Sequence, residues 1–100
     1  MIDGTYDIGV ETALGYKKGK IVLKTDGSTV TADLEAPIIG KRRGTGIVEG
    51  NAFRAQGSAS ILLIGKIDFE IQGEVVGDVI DMDVHTSKDN LHVEGVRVGA

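Results

Sequence analysis

The chain has 100 residues, room for one domain with a single modest core, and its 11 Lys and Arg against 15 Asp and Glu give a net charge of −4. That balance argues against general nucleic-acid binding. The lack of cysteine excludes a disulfide framework, a thiolate nucleophile and a Cys-ligated zinc, and no apolar run approaches the ~18 residues of a membrane span.

Met1 is followed by IDGTYD, which is neither basic nor apolar. No secretory signal opens the chain, and a cytoplasmic domain is expected. A first strand is read over about 4–12, where Tyr6, Ile8 and Val10 alternate with Asp7, Gly9 and Glu11. ALGYKKGK (13–20) then reads as a loop with apolar Leu14 and Tyr16 beside Lys17, Lys18 and Lys20. Strands over about 18–25 and 28–36 flank TDGS, where Gly supplies the positive φ of a tight turn.

APIIGKRRG (36–44) is a second such loop, with Ile38 and Ile39 next to Lys41, Arg42 and Arg43. Strands over about 43–49 and 51–59 flank the turn VEGN. SASILLIGK (58–66) carries Ile61, Leu62, Leu63, Ile64 and Lys66. Strands over about 65–75 and 78–86 flank VVGD, then TSKDN (86–90) leads to a last strand over about 91–98. GIVEGNAFRAQG (46–57) aligns without gaps on GEVVGDVIDMDV (73–84), so the hairpin is the repeating unit. Eight sequential strands with polar outer faces hide their edges by closing into an antiparallel up-and-down barrel over 1–100. A flattened β-sandwich is the alternative.

The opening DGTYD (3–7) and the late Arg97 resemble the barrel-closing element of the calycins, the lipocalin-like superfamily, with Tyr6 where those proteins carry Trp. The whole chain is similar to small bacterial lipocalin-like domains, mostly of unassigned function. The resemblance implies that Gly4 and Tyr6 open the closed end and that Arg97 packs over the Tyr6 ring, a contact worth about 0.5–2 kcal/mol.

In a meander the connections alternate between two ends. TDGS, VEGN and VVGD share one end with Asp3, Asp26, Glu49, Glu74 and Asp78. The other end gathers the apolar tips with Lys17, Lys18, Lys20, Lys41, Arg42, Arg43, Lys66 and Lys88, eight of the 11 cations. A basic mouth concentrates anions, and apolar groups rimmed by charge mark a ligand or partner site. Phe69 and Met82 fall on the inward side of their strands, with Ile67, Ile71, Ile80 and Val84. Few inward residues are large, so a cavity near the mouth is expected.

For chemistry, the turn near 87–90 sets His85 opposite His92 on the outer face, with Asp83 and Glu94 one rung lower. A cross-strand His pair on a solvated face is ordinarily incidental, so no metal, cofactor or catalytic residue is assigned. The leading expectation is a binding module for a hydrophobic, anionic small molecule. Leu14, Tyr16, Ile38, Ile39, Ile61, Leu63, Phe69 and Met82 would make apolar contact; Lys18, Arg42, Arg43 and Lys66 would hold the negative group. Two alternatives stand beside it. One is a barrel enzyme (an isomerase, cyclase or lyase) acting on a small hydrophobic acid. The other is an oligomerisation or docking domain that uses residues 61–64 between copies.

Overall fold

The computed structural model describes residues 1–12, 15–36, 40–61, 65–87 and 90–99, and for 59–61 the backbone alone. Its strands are β1 (Gly4–Thr12), β2 (Gly15–Asp26), β3 (Thr29–Ala36), β4 (Gly40–Glu49), β5 (Ala52–Ile61), β6 (Gly65–Val76), β7 (Val79–Thr86) and β8 (Asn90–Gly99). Each pairs antiparallel with the next, and β8 returns to β1, so the sheet closes as an eight-stranded up-and-down barrel rather than a sandwich.

At one end the pairs Asp26↔Thr29, Glu49↔Ala52 and Val76↔Val79 bracket two-residue turns. Gly27, Gly50 and Gly77 occupy the first turn position with φ of 61°, 58° and 62°, a region that costs other residues strain. The opposite end differs from the sequence expectation. There β2 and β4 begin at Gly15 and Gly40, not near 18 and 43. Gly40, at φ 69°, brings the backbone back into the ladder directly after the connection, where Ala36↔Gly40 closes the hairpin. Most of ALGYKKGK and KRRG is therefore strand.

The interior follows the alternation. Tyr6, Ile21, Leu23, Ala32, Ala55, Ile71, Ile80 and Met82 are buried, and Val10, Leu34, Val48, Phe69 and Leu91 pack on them partly buried. Ile2 and Val75, not expected inside, are buried as well. Ile2 precedes β1 and folds under the barrel as a floor; the Tyr6 hydroxyl donates to its carbonyl oxygen at 2.7 Å. Toward the other end the strands stay side by side: a Cβ on Gly57 would stand 2.5 Å from the Arg43 carbonyl oxygen, and one on Gly19 would stand 2.6 Å from that of Glu35. Among the described residues the β4–β5 ladder runs only from Thr45↔Gln56 to Glu49↔Ala52, although both strands continue past it. The described pairs of β3 with β2 run from Lys20↔Glu35 to Asp26↔Thr29.

Candidate functional site

Residues directly opposite each other in a ladder share a face, and neighbours along a strand do not. Because the basic runs are strand, this rule sorts their cations. Lys17 lies opposite Val10 and Arg42 opposite Leu34, both on the inward side. Lys41 stands opposite Glu35, and Arg43 opposite Asp33, on the outer wall. The Arg43 guanidinium grips Asp33 there in a fork, Nε donating to Oδ1 at 2.7 Å and Nη2 to Oδ2 at 3.3 Å. Lys20 sits 3.6 Å from Asp7 on the same outer wall. Lys20, Lys41 and Arg43 thus face carboxylates, while Lys17 and Arg42 face apolar partners.

Those two cations border a cavity of about 180 Å³ in the mouth half of the barrel. Its apolar walls come from Ile8, Val10, Leu34, Ile67, Val84, Leu91 and Val93, with Phe69 and Met82 lower down. Phe69 has space because Gly57 and Gly44 carry no side chain beside it; a Cβ on Gly57 would stand 2.6 Å from the ring. Lys17, Lys18, Arg42 and Thr86 are the polar side chains among the described lining residues, and none of the described lining residues is a carboxylate. Arg42 Nη1 donates to the Lys41 carbonyl oxygen at 2.8 Å. Its Nε is buried and has no partner, alone in this among the described side chains.

The expected site residues therefore separate. Arg42, Phe69 and Met82 line the cavity, and Lys18 lies at its edge. Arg43 and Lys66 point away from it: Arg43 is tied to Asp33, and Lys66 is exposed beside the inward Ile67. Tyr16 is 59% exposed, its ring lying outside the wall against Gly9. Leu14, Ile38, Ile39 and Leu63 lie outside the described residues, and for Ile61 only the backbone, paired with Gly65, is described. Lys17 is absent from the expected contacts. Counting back by twos from Ile21 would have placed it inside.

At the other end Arg97 reaches across from β8 to β1. Its guanidinium carbon lies 5.3 Å from the Tyr6 ring centroid, and Nη2 and Nε donate to the Tyr6 hydroxyl at 2.8 and 3.2 Å. Gly4 makes room: a Cβ there would meet the Gly99 carbonyl oxygen at 2.9 Å and the Arg97 side chain at 3.2 Å. Asp3 completes the floor, accepting from the Thr25 hydroxyl at 2.6 Å and the Thr25 amide at 2.9 Å. Those two bonds, the hydroxyl's first, hold its carboxyl below the usual range.

The outer histidines are not opposite each other. His92 pairs with Asp83, and His85 with Asn90, a two-residue slip from the expected register. TSKDN contains no Gly to pin the turn, so the sequence leaves its centre undefined. His92 Nδ1 lies 2.8 Å from Asp83, and Nε2 lies 3.2 Å from both Asp81 and Glu94. Hydrogen bonding to Asp83 and then to Glu94 raises the His92 pKa above its ordinary value. Asp81, His92 and Glu94 are the described residues whose donor atoms come within metal-ligand spacing, all exposed. His92 lies within hydrogen-bond distance of Asp81, Asp83 and Glu94, so we read the group as a side-chain cluster around the imidazole.

No protein-family model matches the chain, and no curated protein does either. Its fold does match solved structures. A redesigned β-barrel, mFAP1, bound to DFHBI superposes with a TM-score of 0.71 at 13% identity, over 97% of this chain and 94% of that one. A second barrel, a de novo designed fluorescence-activating one, gives 0.68 at 16% identity, over 96% and 93%. At such identities the likeness is one of fold: this closed eight-stranded chain is similar to designed β-barrels.

Proposed function

We propose that the barrel is a small-molecule binding module that takes a hydrophobic ligand with an anionic end into its mouth cavity. The observation that carries this reading is Arg42: a guanidinium nitrogen buried without a partner, on the lining of an apolar cavity whose described residues include no carboxylate. Leaving a buried donor unpaired costs about 1–3 kcal/mol. A ligand anion would remove that penalty and gain strength from the low dielectric around it. Apolar walls with a few placed polar groups are the ordinary make-up of a ligand pocket. Support also comes from the fold neighbours, one of which is solved with the small molecule DFHBI bound. The lipocalin-like resemblance of DGTYD and Arg97 points the same way at the level of fold.

The test compares two adjacent arginines by NMR titration with benzoate, a one-ring apolar anion, read at the methyl signals of the cavity wall. Arg42→Glu should abolish the binding signal. Arg43→Glu, on the outer wall against Asp33, should leave it within about twofold, since an exposed pair contributes little. Equal loss in both, or none in Arg42→Glu, rejects the mouth as the site.

A further inference from the structure

Resting on that mouth-binding reading, we propose that the anionic group is a planar carboxylate gripped along one edge of Arg42, through Nε and Nη2, on a body no wider than about one ring. The guanidinium itself selects the edge. Nη1 is engaged by the carbonyl oxygen of Lys41 at 2.8 Å. Nε is buried and unpartnered. Of the two forked edges, the one that would satisfy that donor is Nε with the adjacent Nη2, two parallel N–H groups spaced to meet the two oxygens of one carboxylate. A tetrahedral sulfonate presents a third oxygen that this edge does not reach. Lys17, half-buried beside the same cavity, adds a point charge that favours any anion without choosing its shape.

The cavity sets the body. Its volume is about 180 Å³, and a cavity of about 150 Å³ in another protein accepts one benzene. A single substituted ring, or a short branched chain of similar bulk, fills it. Around Leu34, Ile67, Val84 and Leu91 the Thr86 hydroxyl is the one uncharged polar side-chain group among the described lining residues.

The experiment is an NMR titration of the intact chain with three probes that share one body: 4-methylbenzoate, 4-methylbenzamide and 4-methylbenzenesulfonate. The benzoate is expected to bind about tenfold more tightly than either of the others, shifting the methyl signals of Leu34, Val84 and Leu91. Arg42→Lys keeps the charge and removes the fork, so it should erase most of the benzoate's advantage. Lys17→Gln should weaken benzoate and sulfonate alike and leave their ratio unchanged. Equal affinity for benzoate and benzamide, with the cavity methyls shifting, overturns the carboxylate assignment and leaves the cavity reading standing. So does an Arg42→Lys variant that binds benzoate as well as the parent. No binding of any probe overturns both. The three probes on the unaltered chain decide the question even where a variant fails to fold.

Discussion

Arg42 and Arg43 are chemically identical neighbours with opposite circumstances, one beside an apolar cavity and one locked to Asp33 outside. One step along a strand makes the difference. His92 shows the same dependence on register. Set among Asp81, Asp83 and Glu94, its imidazolium is favoured in the folded state, so its folded pKa lies above the unfolded value of about 6.5. The stabilisation is full below that unfolded value and is lost as pH rises through the folded pKa. Asp83→Asn, which removes the first cause of the shift, is expected to lower the His92 midpoint in an NMR titration. An unchanged midpoint would mean that Asp83 does not hold the proton. Which cations turn inward was legible only in part. Residue types announced a basic, greasy rim, but reading KKGK and KRRG as loops discarded the alternation that separates Lys17 from Lys18 and Arg42 from Arg43.

Hairpins are the unit at the next scale, and their legibility followed their glycines. TDGS, VEGN and VVGD each place a Gly where the turn demands positive φ, and all three turns lie where the sequence set them. TSKDN has none, and there the register moved by two. Glycine inside a strand has another use. Gly73 lies opposite Phe53 on β5 and Met82 on β7, and a Cβ there would stand 2.7 Å from the Met82 Cβ and 2.9 Å from the Phe53 ring. Gly73→Ala is therefore expected to overpack the core and cost about 1–3 kcal/mol. Phe53→Leu relieves the contact, so the double variant should be more stable than the sum of the two single effects in denaturant unfolding. Strict additivity would show that the ring moves aside freely.

Closure is the property of the whole molecule. It was legible because eight alternating strands need a way to hide two edges, and because an aromatic near one terminus and a cation near the other suited a shared end. The floor formed by Ile2 was not legible, since nothing in MIDG shows the chain folding under the barrel. Tyr6 joins that floor to both terminal strands: its hydroxyl donates to the Ile2 carbonyl oxygen and accepts from Arg97. Tyr6→Phe keeps the ring and strands both partners. A loss of about 1–2 kcal/mol is expected, at about 4–8 °C of melting temperature per kcal/mol for a domain of this size. A thermal melt that does not move would reduce the contact to packing alone.

The apolar lining of the mouth gives its cations a second meaning. Apolar surface at the end of one barrel can meet the same surface of another copy and start aggregates, and charge around it opposes that contact. Lys17, Lys18, Lys41, Arg42 and Arg43 stand on the strands that build this half of the barrel. The side chains that would draw in an anion thus also keep neighbouring molecules apart. An uncharged substitution there removes recognition and repulsion together, and precipitation could then pass for lost affinity. Reversing the charge removes only the first.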